Sequence, residues 1–159
     1  MKRNHQKGNK LNQNVLRTWT YAQAHRAVPY VANIMRSVRE HFLNLVSKQA
    51  DQRRLAAKPG RPDRAAYLAQ EEAAVGAERA MDALRDDLEE LQAIDVYVLD
   101  PVQGEALIPF VHDEKLAWYV FSLFEEEPLK LWRFHEDPIE ARRPMSELAA
   151  ISVTPDVIV

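Results

Sequence analysis

Leu116-Ala117-Trp118-Tyr119-Val120-Phe121-Ser122-Leu123-Phe124 is the most hydrophobic run in the chain. Its β-branched and aromatic residues suit a pleated surface, so it reads as a central strand. Around it, from Ile94 to Asp137, turn residues divide the sequence into shorter apolar runs: Val96 to Leu99, Ala106 to Val111 and Leu129 to Phe134. Asp100-Pro101-Val102-Gln103-Gly104 and Glu125-Glu126-Glu127-Pro128 carry the residues that turns require. The whole stretch predicts an antiparallel β-meander of three to four strands over residues 95–135. Pro109 lacks a backbone N–H, which predicts an edge position for the second strand. In the central run both alternating sets are apolar, so both faces need cover.

Upstream the spacing is helical. Thr20 and Gln23 form a capping-box pair, and Trp19 and Ala24 stand at staple spacing. From there Val28, Val31, Met35, Val38, Phe42 and Leu45 recur in steps of three and four, as in a helix packed lengthwise on another. Pro29 removes one ladder bond, which predicts a short opening helix that kinks before the long one. Lys58-Pro59-Gly60-Arg61-Pro62 ends the first helix, and Asp63 opens a second that runs to about Gln92. Ala66, Ala73, Ala77, Met81, Leu84, Leu88 and Leu91 mark the inner face of that second helix. A short loop between long helices implies an antiparallel hairpin over residues 20–92 with coiled-coil character. Past Leu45 the inward positions become Gln49 and Gln52, so the tip of the hairpin should be loose, either a frayed solvent-exposed end or a surface completed by a second copy of the chain.

The fold class is therefore α+β, a long antiparallel two-helix hairpin packed on a small antiparallel β-meander. Residues 1–14 carry Lys2, Arg3, Lys7 and Lys10 with almost no apolar surface, and read as a disordered basic tail. Residues 15–159 read as one domain, whose C-terminal segment, 138–159, ends in the apolar run Val153 to Val159. A net charge of −3 gives no global field for nucleic acid, and the tail has no interleaved aromatics. No apolar run approaches the roughly 20 residues of a membrane helix. The chain has no cysteine, which excludes disulfides and thiolate chemistry and fits the cytoplasm.

Familiar catalytic and cofactor motifs are missing. The four glycines are isolated, no Gly-Lys-Ser/Thr sequence cradles phosphate, no serine sits in a Gly-x-Ser-x-Gly elbow, and no His-Glu-x-x-His offers zinc ligands. Helix two is acidic but has no histidine, so its carboxylates read as a solvated face rather than a di-metal site. One compact polar cluster remains, His135-Glu136-Asp137, followed by Arg142 and Arg143, with His112-Asp113-Glu114 in another loop that a meander can bring near. Histidine and carboxylates can ligate a metal, and arginine can hold an anion. The structural alternative is a local ion pair in which Arg142 closes on Glu136 or Asp137.

Trp19-Thr20, Ala24, Pro29, Asp100-Pro101 with Gly104, Glu127-Pro128, Phe134-His135-Glu136, and Arg142 with Pro144 occur in an order that resembles a bacterial family catalogued as domain of unknown function two-two-zero-three. The resemblance covers residues 19–144. Phe134 stands where that family usually has Trp, and Asp137 to Ala141 replaces a longer glycine-containing loop. The resemblance implies the α+β architecture and directs attention to His135, Glu136 and Arg142; it implies no reaction and no cofactor. Two functional expectations follow. The first is a non-enzymatic, self-associating interaction module, a homodimer completed at the hairpin tip and the central strand. The second is a small-ligand or metal site at the end of the fourth strand, formed by His135, Glu136 and Arg142.

Overall fold

A computed structural model of the chain describes residues 15–151. The basic tail expected over residues 1–14 and the apolar end from Val153 to Val159 lie outside the described residues. Helix α1 spans Tyr21–Ala56 and α2 spans Arg64–Ala93. Thr20 caps α1 as its sequence predicts: its hydroxyl accepts from the Gln23 N–H at 3.2 Å, and the Gln23 side chain accepts from the Thr20 N–H at 3.0 Å. Trp19 and Ala24 are both buried beside that cap. Pro29 does not divide the helix, because α1 is one continuous element across it. The lost ladder bond falls near the N-terminus, where packing of Val31, Met35 and Val38 outweighs it. Asp63 caps α2 by accepting from the Ala66 N–H at 2.7 Å.

The sheet follows α2. Its strands are β1 (Tyr97–Asp100), β2 (Glu105–His112), β3 (Lys115–Ser122), β4 (Leu131–Phe134) and β5 (Arg143–Pro144), paired antiparallel in chain order. Helix α3, Met145–Ile151, leaves β5 directly. The meander thus has one strand more than its periodicity announces. Two residues, one of them proline, carry no alternation, yet Arg143 and Pro144 pair with Trp132 and Leu131.

Pro109 lies inside β2, the second strand of five, rather than on an edge strand. The register explains how this is tolerated. Strand β1 pairs only with residues 105–107 of β2, so the outer side of Pro109 is beyond its reach. There the Pro109 carbonyl accepts the Trp19 N–H at 2.8 Å, so the side that lacks a donor faces away from β3. Position 109 is locally an edge.

One sheet face carries Ala106, Ile108, Phe110, Ala117, Tyr119, Phe121 and Trp132, all buried in a core shared with Val31, Met35, Val38, Leu84 and Leu91 of the helices. The opposite face is also buried within the chain: Trp118 is 8% and Val120 1% exposed. Tyr97 meets Trp118 edge-on at 5.9 Å, and Arg142 reaches Glu105 at the start of β2. The central strand is therefore buried within one chain, without a second subunit.

Candidate functional site

Among the described residues no hydrogen bond or ion pair joins His135, Glu136 and Arg142. His135 extends β4 by one residue, its N–H bonded to the Leu116 carbonyl at 2.9 Å. Its Nδ1 accepts the indole N–H of Trp118 at 3.1 Å, which leaves the ring proton on Nε2. Glu136 is exposed in the turn that follows. Arg142 instead makes a bidentate pair with Glu105, Nη1 to Oε1 at 3.1 Å and Nη2 to Oε2 at 3.0 Å.

The acid that is held locally is Asp137, and its partner is Arg143. Arg143 Nε donates to Asp137 Oδ2 at 3.0 Å and its Nη2 to Oδ1 at 3.2 Å, while the Phe134 N–H also donates to Oδ2 at 3.0 Å. These bonds, the Arg143 pair first, hold the Asp137 carboxyl below its ordinary range. The same guanidinium lies 4.9 Å above the Phe134 ring and 5.4 Å from that of Trp132. Arg133 is 6% exposed; its Nη2 donates to the Asp137 carbonyl, and its Nε has no partner among the described residues. The expected ion pair exists, but one residue further along, and Arg142 ties a different part of the sheet.

His112 ends β2 at the tight turn of Asp113 and Glu114, both at positive φ. The meander does bring it to the same end of the sheet as His135. Yet His112 packs on Trp132 and Phe134, whereas His135 packs on Trp118, whose side chain lies on the opposite face. Among the described residues no group of three His, Cys, Asp or Glu side chains is placed to hold a metal ion.

The hairpin tip, where the first expectation placed self-association, carries no buried residue. Burial along α1 ends at Leu45 and resumes on α2 at Ala77; none of residues 46–76 is buried. Beyond Leu45, helix α1 continues to Ala56, about 16 Å at 1.5 Å per residue. The inner face of α2 is narrower than its sequence suggests, comprising Ala77, Ala80, Leu84 and Leu91. Met81 and Leu88, expected inside, are 38% and 37% exposed. One partner helix covers only one stripe, and these two lie beside it. With exposed Ala74 and Tyr67 they stand seven residues apart and form a single apolar line from base to tip. The seven-residue spacing was visible in the sequence; which side of it α1 would cover was not.

Such a hairpin on a five-stranded meander defines an α+β architecture with a polar sheet end and a charged helical arm that bears one apolar line. The model of an uncharacterized conserved protein family, DUF2203, matches residues 17–145, and the chain belongs to that family. No curated protein and no solved structure matches the chain. No helix among the described residues is long and apolar enough to cross a membrane.

Proposed function

We propose that this protein is a self-associating interaction module whose two copies pair along their helical hairpins. The observation that carries this reading is the stretch 46–76, two long helical arms without one buried residue. The two arms shield each other only partly, so a partner laid along them would bury apolar surface that neither arm covers alone. The line Tyr67, Ala74, Met81 and Leu88 supplies the apolar seam that a partner would cover.

Charge favours a second copy as that partner. The far end of the arm carries Arg53, Lys58, Arg61 and Arg64, while the base of α2 carries Asp86 and Glu89 beside Asp82, Asp87 and Glu90, which bond Arg85, His41 and Tyr30 of their own chain. Two hairpins laid side by side in opposite directions set each basic tip against the other's acidic base, and a twofold axis repeats that pairing at both ends. Sedimentation velocity on wild type and Met81→Glu tests this. The wild type should sediment as a dimer that dissociates on dilution and in high salt, and Met81→Glu should shift it to monomer with unchanged helix content. A Met81→Glu protein that dimerises as well as wild type overturns the assignment of the seam.

A further inference from the structure

A cavity of about 530 Å³ opens at the turn end of β2 and β3, on the core face of the sheet. The start of α1 contributes Tyr21, the strands contribute Phe110, His112 and Tyr119, and α3 closes it with Met145 and Ser146. Its volume falls within the range of small-molecule sites, about 300–1,000 Å³. The wall is built from aromatic surface in fixed geometry. Phe110 and Tyr119 stack nearly parallel with centroids 4.0 Å apart, and Tyr21 meets Tyr119 edge-on at 6.0 Å. On the far side Trp132 holds the His112 ring edge-on at 5.4 Å.

Tyr119 is the informative residue. It is 4% exposed, yet its hydroxyl makes no hydrogen bond to the protein among the described residues, and it lines the cavity. Arg133 Nε is the one fully buried side-chain polar atom without a partner among the described residues, so the little surface that Tyr119 keeps includes its hydroxyl, which opens on the cavity and is free to donate to whatever occupies it, water included. Burial, and then the neighbouring Tyr21, push its pKa up to about 12, so at neutral pH it is an O–H donor. Among the described residues no lysine or arginine lines the cavity, and the Arg143 guanidinium near Trp132 is committed to Asp137. The surroundings therefore offer aromatic contact and neutral donors without a charge to hold an anion.

We infer that this cavity binds a flat, uncharged aromatic small molecule that packs against Phe110 and Tyr21 and places a carbonyl-type oxygen against the Tyr119 hydroxyl. The site lies on the sheet end of the molecule and is independent of the seam on α2. The probe is prodan, an uncharged naphthyl ketone whose emission moves to the blue in apolar surroundings and to the red when its carbonyl accepts a hydrogen bond. Titrated into the full chain, it should bind saturably at one site per chain. Tyr119→Phe keeps the ring and removes the donor; it should weaken binding about fivefold, the value of one neutral hydrogen bond, and shift bound emission further to the blue. Ser146→Trp, at an exposed rim position, should block binding without touching the core, and decides the matter if Tyr119→Phe fails to fold. Absence of saturable binding by the wild type, whether water or another part of the chain fills the space, overturns the inference. So does binding that Tyr119→Phe, or Ser146→Trp in its place, leaves unchanged.

Discussion

Arg142 and Glu105 offer a test of whether the arginine near the sheet end is structural. Their pair is bidentate, and the two side chains are 23% and 24% exposed. A fully exposed ion pair contributes about 0.2–1 kcal/mol, whereas breaking a buried one costs about 3–5 kcal/mol. With a quarter of each side chain in water and ideal fork geometry, each single substitution to alanine should cost about 1–2 kcal/mol. The interaction energy should be about 1 kcal/mol. Urea denaturation of wild type, Arg142→Ala, Glu105→Ala and the double variant gives this coupling, and the cycle cancels packing lost by either side chain alone. Raising the salt should shrink it only modestly, because the pair is partly shielded from solvent. Amide exchange in residues 135–142 should accelerate in both single variants, since the pair ties that segment to the start of β2. A coupling below about 0.3 kcal/mol, within the scatter expected of independent sites, would refute the reasoning. Stabilisation of the wild type by added phosphate that is lost in Arg142→Ala would point instead to an anion site.

Gly104 sits at φ +69°, and a Cβ there would lie 2.6 Å from Leu123 Cβ, so Gly104→Ala should destabilise by about 2–4 kcal/mol in urea. Gly60→Ala, at φ +92° but with nothing within 4 Å, should cost only the backbone component, about 1–2 kcal/mol; equal costs at the two positions would contradict the packing argument. The depressed pKa of Asp137, caused first by Arg143 and then by the Phe134 N–H, stabilises the fold above the ordinary carboxylate pKa. That stability is lost as pH falls through the folded value, so Asp137→Asn should flatten the acid limb of the urea midpoint. At the alkaline end the raised pKa of Tyr119 contributes stability fully below pH 10.0, and this is lost as pH rises through about 12. Tyr119→Phe should delete the corresponding late step in tyrosinate absorbance; an unchanged titration would refute the burial of that hydroxyl.

Features fixed by neighbouring residues were the most legible in the sequence. The Thr20 and Gln23 box, the Asp63 cap and the break around Gly60 each depend on side chains a few positions apart, and each stands where its residues predict. Alternation likewise located the strands, and gaps in the inward pattern after Leu45 announced the uncovered tip. What escaped depends on long-range placement. Glu105 and Arg142 are 37 residues apart and share no local signal. Strand β5 is too short to alternate, and Pro109 survives inside β2 only because β1 stops short and Trp19 arrives from elsewhere. Met81 and Leu88 satisfy helical spacing as inner residues, yet the stripe that α1 covers passes beside them. The cavity around Tyr119 draws on three segments distant in sequence, so only the folded chain assembles it.

Self-association through the hairpin is tested most directly by light scattering behind size exclusion, on the full chain across a range of micromolar concentrations. The mass should approach twice the 18.3 kDa of one chain at the highest concentration and fall on dilution. A mass that stays at 18.3 kDa throughout would contradict it.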